Sequence, residues 1–177
     1  MSDKLPSRER ALQLLIENGC SLNVVNHCVA VAKLARETAE GLKKKGLPVD
    51  LELVEIGALL HDIGRSKTHS VNHGFEGAKI AENAGLPEPI VSIIKRHVGA
   101  GITPEEAEAL GWPSNDVYAP VTLEEKVVSY ADELIDGGKR APIELTIEQF
   151  SKKGYPKAAE RVRKLHDEIV ALIGDCP

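Results

Sequence analysis

The chain has 177 residues, of which 42% are hydrophobic, 28% charged and 3% aromatic, and its formal net charge is -5. This length suits one domain with a substantial core, and the acidic balance argues against nonspecific binding to nucleic acid, which needs many cationic contacts to phosphates. No apolar run approaches the ~18 residues that span a bilayer, so the sequence predicts no membrane association.

The cysteines and the N-terminal segment favour a reducing compartment. Cys20, Cys28 and Cys176 are odd in number and form no C-x-x-C pair, which argues against a disulfide framework. Segment 1–10 is polar and charged, without the apolar stretch of a signal peptide. The sequence therefore predicts a cytoplasmic protein.

Helix start and stop signals follow one another along the whole chain. Ser7 and Asp50 are typical N-cap residues, and Thr122 with Glu125 forms a capping box. Apolar residues at helical spacing between such signals predict helices over about 7–18, 21–45, 50–64, 72–84, 87–98, 104–110, 122–136, 146–154 and 156–173. Because no segment alternates like a strand, we expect an all-α fold in one domain spanning 1–177.

Two further caps and one irregular segment complete this prediction. Asn72 is expected to cap the helix at 72–84, and Thr146 with Gln149 is expected to open the helix at 146–154. Segment 99–120 is rich in glycine and proline, with a short helix at 104–110. Trp112 and Tyr118 are expected to pack this segment against the rest of the domain.

Five of the predicted helices carry a histidine or an aspartate on their apolar face. These residues are His27, His61, His73, His97 and Asp132, and Asp62 directly follows His61. A single inward-facing histidine is usually a core residue that bonds to backbone. Several buried ionisable groups cost several kcal/mol each unless they are paired or bound to metal. Because imidazole and carboxylate are good ligands for Zn, Mn and Fe, the pattern favours a shared metal site over buried hydrogen-bonded pairs.

The same residues stand in an order that resembles the H…HD…D signature of the HD superfamily of metal-dependent phosphohydrolases. His27 comes first, His61-Asp62 follows in the string Leu-Leu-His-Asp-Ile-Gly, and Asp132 closes the pattern in Ser-Tyr-Ala-Asp-Glu-Leu. The resemblance covers about residues 20–140, with the helices at 146–173 beyond it. It implies a helical bundle of the HD-domain, phosphodiesterase-like type whose four matching residues bind a metal.

Some branches of this superfamily add two histidines and hold two metals. His73 and His97 occupy the corresponding places here. The resemblance then implies that Asp62 bridges two ions. The ligands of one ion would be His27, His61 and Asp132, and those of the other His73 and His97. Either one or two divalent transition ions would bind, with Fe, Mn, Zn, Co and Ni as candidates and Mg as a further one.

The strings around the added histidines point to particular branches. Asn-His-Gly-Phe-Glu-Gly-Ala and Lys-Arg-His-Val look similar to the bacterial branch that hydrolyses diadenosine tetraphosphate. Segment 101–120 looks more like an uncharacterised, largely archaeal HD group. The resemblance implies hydrolysis of a phosphate ester or anhydride, of a small phosphate or nucleotide, by a metal-activated water. The individual substrate and the oligomeric state stay open, a homodimer included.

Cationic residues near the doublet are candidates for contacts to substrate. Arg65 takes the place of a lysine that is common in the family, and together with Asp62 it is the predicted catalytic pair. Its guanidinium fork suits phosphate oxygens. Lys67 and Arg96 are further candidates for substrate binding. For each of these three cations, an ordinary solvated side chain is the alternative.

Two other histidines are not expected to take part. His69 lies four residues before His73 and competes with it as a ligand, but it is more typical of a loop residue. His166 is expected on the surface side of the last helix.

Two other functions also stay open: a sensor that binds a nucleotide or phosphate at the metal site without turnover, and a di-iron oxygenase, because a few HD relatives use the metal pair in that way.

Overall fold

The computed structural model describes residues 4–174, and within that range the fold is helical, as predicted. The helices are α1 (Arg8–Glu17), α2 (Leu22–Lys44), α3 (Leu51–Leu60), α4 (His73–Asn83), α5 (Glu88–Arg96), α6 (Pro104–Ala109), α7 (Leu123–Glu133), α8 (Ile143–Lys152) and α9 (Pro156–Ile173). Short 3₁₀ turns lie at Ile63–Ser66 and Val98–Ala100. Cys20 and Cys28 are free thiols, and Cys176 lies outside the described residues.

A small antiparallel ribbon departs from the prediction that strands are absent. Strands β1 (Ile135–Asp136) and β2 (Lys139–Arg140) pair so that Ile135 faces Arg140. Each strand has two residues, which is too short for an alternating pattern to show in a sequence. The predicted helix over 122–136 therefore ends earlier, at Glu133.

Helix starts follow the predicted caps at most positions. The side chain of Ser7 accepts a hydrogen bond from the backbone N–H of Arg10, and that of Asp50 accepts from two N–H groups of α3. Thr122 and Glu125 form a complete capping box at α7. Because these bonds satisfy N–H groups that a helix cannot pair internally, each helix begins where its cap stands.

The cap predicted from Thr146 and Gln149 is wrong. Helix α8 begins at Ile143, and Thr146 lies inside it. The Thr146 hydroxyl donates to the backbone oxygen of Glu133 at 2.7 Å, so it joins α8 to the end of α7. A threonine three residues before a glutamine has the spacing of a cap, but here its partner is distant in sequence.

Helix α3 lies at the centre of the core. The five residues from Ile56 to Leu60 are all buried, and α3 packs against α1, α2, α5 and α7. This helix ends at Leu60, short of the predicted end at residue 64, and His61 follows as its C-cap. His61 and Asp62 therefore lie in the interior of the domain, at 0% and 2% exposure.

The turn after α3 touches α4 backbone to backbone. A Cβ atom on Gly64 would lie 1.9 Å from the carbonyl oxygen of His73 and 2.6 Å from the backbone nitrogen of Gly77. Only glycine allows so close an approach. The start of α4, with His73, is therefore held directly against the turn that follows Asp62.

The segment between α5 and α7 packs through a small apolar cluster of its own, which contains Trp112 and Tyr118. The indole of Trp112 stacks on the ring of Phe75 in α4, with centroids 5.3 Å apart, and its Nε1 donates to the side-chain oxygen of Asn72. The packing prediction for Trp112 and Tyr118 is confirmed. Asn72 is the N-cap residue of α4, as predicted, but its side chain bonds to Trp112 and makes no capping hydrogen bond to the helix.

Candidate metal centre

Side chains from five helical elements meet at one point in the core, and we call this set the His/Asp cluster. Its members are His27 of α2, His61 and Asp62 after α3, His73 at the start of α4, His97 after α5, and Asp132 of α7. Four of them are almost fully buried, and the side chains of His27 and Asp132 keep 23% and 17% exposure. The structure thus brings together all six residues that the sequence singles out as metal ligands.

The two carboxylate oxygens of Asp62 face different pairs of imidazoles. Oδ2 lies 3.7 Å from Nε2 of His27 and 3.7 Å from Nε2 of His61. Oδ1 lies 3.2 Å from Nε2 of His73 and 3.5 Å from Nε2 of His97. Asp62 therefore stands between two histidine pairs, with one oxygen directed to each.

Asp132 belongs to the first of these pairs. Its Oδ1 lies 2.9 Å from Nε2 of His27 and 3.4 Å from Nε2 of His61. Among the described residues, three groups of His and Asp have donor atoms that all lie within 4.8 Å of one another, and Asp62 is shared by two of these groups.

Backbone carbonyls orient three of the imidazoles. Nδ1 of His61 bonds to the Ala58 carbonyl at 2.6 Å, and Nδ1 of His73 and of His97 bond in the same way to the residue three positions earlier, at 2.7 and 2.8 Å. A carbonyl only accepts, so each Nδ1 carries the hydrogen. In the neutral ring, Nε2 is then a lone pair aimed into the cluster.

Within residues 4–174, no donor group is hydrogen-bonded to those lone pairs. Nε2 of His73 and Nε2 of His97 lie 3.0 Å apart, and Nε2 of His61 and Oδ1 of Asp62 are buried without a hydrogen-bond partner. Two acceptor nitrogens at that distance repel each other unless a proton or a metal ion lies between them, and the lowered pKa of His97 disfavours the proton. The residues present thus fit a divalent cation, and their N and O donors suit ions such as Zn, Mn and Fe.

The charges of the cluster shift its pKa values in opposite directions. Burial acts to lower the pKa of His61, but the carboxylates of Asp62 and Asp132 outweigh it, so the pKa is raised well above its usual value. Burial acts to raise the pKa of both carboxyls, yet the neighbouring imidazoles hold these pKa values well below normal. Burial also lowers the pKa of His97. The cluster therefore combines ionised carboxylates with a field that attracts positive charge.

Metal binding is expected to release a proton. The raised pKa means that His61 is protonated at neutral pH when no cation is present, and because Nδ1 already donates to backbone, the extra proton is on Nε2. A metal ion has to displace it, so affinity should rise with pH, by roughly tenfold per pH unit for one proton. Titration calorimetry with Mn²⁺ in two buffers of different ionisation enthalpy measures this release. Equal heats in both buffers, with a dissociation constant independent of pH, would contradict the expectation.

A cavity of about 950 Å³ opens beside the cluster. His27, Asp62, His73, His97 and Asp132 all form part of its lining. Such a volume lies at the upper end of the ~300–1,000 Å³ that is usual for ligand sites. The cluster is thus accessible to a molecule much larger than a phosphate ion.

Arg65 also lines this cavity, with 29% of its side chain exposed. Its Nε donates to Oδ2 of Asp62 at 2.5 Å. Its terminal amino groups make no hydrogen bond to any residue within 4–174. The arginine therefore holds the shared carboxylate in place and leaves donors for another ligand.

The other predicted cations lie elsewhere. Arg96 donates to the carboxylate of Glu125 at 2.8 Å and to the Val117 carbonyl, and so fastens the segment before α7. Neither Arg96 nor Lys67 lines the cavity, and Lys67 is exposed to solvent. The structure thus places these two predicted substrate contacts outside the cavity, and we propose no such role for them.

The two remaining histidines stay outside the cluster. His69 is exposed on the cavity lining and belongs to none of the metal-binding groups among the described residues. His166 is half-buried, and its Nδ1 is hydrogen-bonded to the hydroxyl of Tyr130 at 2.9 Å. The prediction of a surface position for His166 is therefore wrong, because α9 turns this residue toward α7.

Sequence reasoning missed Glu133 and one face of α8 as part of the cavity lining. The pKa of the Glu133 carboxyl is raised well above its usual value by burial and by the charge of Asp132. This face consists of Thr146, Gln149 and Phe150 together with Lys153, the C-cap residue of α8. Their helical spacing was visible in the sequence, but nothing local shows that this face meets a cavity.

Comparison with known proteins defines the family. The family model of the HD domain matches residues 24–135, well over half of the chain. The chain belongs to the HD-domain family. The match begins in α2 and ends in β1, so it contains the whole His/Asp cluster of this HD domain and excludes α8 and α9.

Relatives of this HD domain include both a stand-alone protein and larger ones. An uncharacterized protein of Methanocaldococcus jannaschii is 51% identical over 93% of this chain and 98% of its own length. A tRNA (cytidine(56)-2'-O)-methyltransferase of Thermoplasma volcanium is 41% identical over 96% of this chain and 48% of its own length. Ribonuclease Y of Acidothermus cellulolyticus is 34% identical over 63% of this chain and 23% of its own length. The chain thus spans about half of the methyltransferase relative.

Solved structures share the fold. The HD domain of the phosphodiesterase PgpH from L. monocytogenes, in complex with cyclic-di-AMP, superposes with a TM-score of 0.55 at 18% identity, over 93% of this chain and 94% of that chain. This likeness shows the helical HD fold.

No helix within residues 4–174 of our chain is both long enough and apolar enough to cross a bilayer.

Proposed function

We propose that this HD domain is a metal-dependent phosphohydrolase that cleaves a phosphate ester or anhydride bond of a nucleotide. The observation that carries the proposal is the placement of Asp62 between two histidine pairs at the edge of a cavity. Such an arrangement suits two cations that share one carboxylate, and two-metal sites serve phosphoryl transfer in many enzymes.

Each residue of the cluster has a proposed role. Asp62 would contribute to both ion positions, His27, His61 and Asp132 would hold one ion, and His73 and His97 would hold the other. When bound, divalent ions supply Lewis acidity toward phosphoryl oxygens and lower the pKa of water. The backbone carbonyls at Nδ1 keep the imidazoles oriented for this task.

Arg65 is the proposed contact to the phosphoryl group. Its bond to Asp62 fixes the guanidinium beside the cluster, and its terminal amino groups remain for oxygens of the substrate. An arginine binds such oxygens with two parallel hydrogen bonds, so it both orients the group and stabilises negative charge that develops during cleavage.

Three observations support a nucleotide as substrate. The cavity has room for one, the PgpH neighbour binds cyclic-di-AMP, and two relatives carry names of proteins that act on RNA. The last point favours a short RNA or an RNA end as a second candidate substrate. The net charge of -5 argues against a long nucleic-acid tract.

A turnover screen tests the proposed function. The purified chain is stripped of metal, reloaded separately with Mn²⁺, Fe²⁺, Zn²⁺, Co²⁺, Ni²⁺ or Mg²⁺, and incubated with mononucleotides, dinucleoside polyphosphates, cyclic dinucleotides and short oligoribonucleotides. We expect product formation, measured by phosphate release and mass spectrometry, that depends on metal, is lost on chelation and returns on reloading.

The alternatives give different results in the same screen. Tight nucleotide binding without turnover for any loaded metal would favour a sensor over an enzyme. Oxygen consumption by the iron-loaded protein with a polyol or phosphonate would identify an oxygenase. Either outcome would contradict hydrolysis as the function.

A further inference from the structure

One face of α8 contributes an aromatic ring, an amide and an ammonium group to the cavity lining, and we call it the α8 face. Its members follow helical spacing, i, i+3, i+4 and i+7, so they lie along one side of the helix. They are Thr146, Gln149, Phe150 and Lys153. Ile143 and Ile147, which border this side of the helix next to Phe150, are buried at 3% and 8% exposure. The packing of these two isoleucines into the core therefore holds the α8 face along the cavity.

Two contacts fix the α8 face relative to the His/Asp cluster. The hydroxyl of Thr146 donates to the backbone oxygen of Glu133, which is the residue after Asp132. The ring of Phe150 packs over Gly99, two residues after His97, and its Cζ would lie 3.8 Å from a Cβ at that glycine. The helix is thus tied to the chain next to a member of the cluster at each of these two points.

The side chains of the α8 face are available to a ligand. Phe150 is half-buried against the core and also lines the cavity. The amide of Gln149 and the ammonium group of Lys153 are exposed and make no hydrogen bond or ion pair with any residue from 4 to 174. An aromatic ring, an amide that both donates and accepts, and an unpaired cation therefore lie within about two helical turns.

This combination matches the parts of a nucleotide. A nucleobase has a flat π surface that stacks on aromatic side chains, and an edge with donors and acceptors that an amide can satisfy in pairs. A sugar phosphate has neither part. The cavity of about 950 Å³ leaves room for a nucleoside beside the cluster.

We propose that the α8 face is the nucleoside-recognition site of this protein, in which the base stacks on Phe150 and the Gln149 amide hydrogen-bonds to its edge. This inference rests on the proposed function, which places the phosphoryl group at the His/Asp cluster. The site lies outside the segment that matches the HD-domain family, which ends at residue 135. Selection of the substrate is thereby assigned to α8, and the reaction to the family core.

A matched set of ligands tests the site by binding rather than by turnover. The full, Mn²⁺-loaded chain is titrated in a calorimeter with AMP, GMP, CMP, UMP and ribose 5-phosphate, and each ligand is checked for integrity afterwards. We expect at least one nucleotide to bind roughly tenfold more tightly than ribose 5-phosphate, because base–aromatic stacking contributes on that order.

Variants then assign this preference to the α8 face. Phe150→Ala and Phe150→Leu should both bring the ratio of the affinity for the nucleotide to the affinity for ribose 5-phosphate toward one. The leucine variant keeps most of the apolar volume that packing in the fold requires. Gln149→Ala should reduce the differences in affinity among AMP, GMP, CMP and UMP. Glu148→Ala, which changes an exposed residue on the solvent side of α8 and outside the cavity lining, serves as the matched control and should keep the wild-type affinity ratios.

The inference and the proposed function fail in different ways. If the wild type binds ribose 5-phosphate as tightly as all four nucleotides, or if both Phe150 variants keep the full ratio, the inference is overturned even when phosphate esters are hydrolysed. If the protein shows a base preference that depends on Phe150 but no turnover, the recognition site is supported. That result would contradict only the proposed hydrolase function.

Discussion

Replacing Asp62 by asparagine is expected to weaken metal binding and to remove most of the hydrolytic activity. The imidazoles around Asp62 hold its pKa well below normal, so the residue is ionised throughout the neutral range, and each of its oxygens faces one histidine pair. Asparagine keeps the shape but loses the charge that two cations would share. We expect a loss of at least about 10³-fold in kcat/KM, or about 4 kcal/mol of transition-state stabilisation.

Metal content and rate are the two quantities to measure for Asp62→Asn. Elemental analysis after reloading should show less than the wild-type metal content, and the phosphate-release assay should give the loss in rate. Asp136→Asn is the matched control, because Asp136 is an exposed carboxylate on the same cavity lining but outside the cluster. That variant should retain its metal. An Asp62→Asn protein with full metal content and near-normal turnover would refute the bridging role.

Replacing Gly64 by alanine is expected to destabilise the fold and to displace His73. The new Cβ would lie 1.9 Å from the His73 carbonyl oxygen and 2.6 Å from the Gly77 nitrogen. Both obstacles are backbone atoms, so no change of rotamer relieves the clash, and α4 has to move away. We expect a loss of about 3 kcal/mol in unfolding free energy, or a Tm lower by roughly 6–12 °C.

The displacement of α4 should also be visible in the metal centre. Because His73 begins α4, Gly64→Ala should lose metal bound at the His73 and His97 pair before metal at the other pair, as measured by stoichiometry. Gly41→Ala provides the control, since a Cβ there would meet only the Ile173 side chain at 3.6 Å and alanine favours a helix interior. A Gly64→Ala protein with wild-type Tm and metal content would contradict the close approach.

The cluster was predictable because its signals are local. His27 lies at helical spacing from apolar residues of α2 and therefore shares their face of the helix. The inward direction of His97 follows from the isoleucines that precede it at the same spacing. The capping box of Thr122 and Glu125 likewise lies within one turn. A helix converts such short-range patterns into faces, so a single sequence shows which side chains point inward.

Pairings across the fold were not predictable in the same way. Arg96 is expected from its position to be free for substrate, but Glu125 from α7 binds it. Thr146 has the spacing of a cap, but its hydroxyl bonds to Glu133. In both cases the partner is distant in the chain, and nothing in the nearby residues indicates it.

The sequence by itself determined a helical fold and named the six inward-facing residues of the His/Asp cluster, because the helical period and the caps act over a few residues. Only the tertiary structure decided that Asp62 directs one oxygen to each histidine pair, that Arg65 holds this carboxylate, and that α8 forms a wall of the cavity. These facts depend on distances between atoms of different helices. Such distances follow from how the helix backbones pack, which no periodic pattern within one helix encodes.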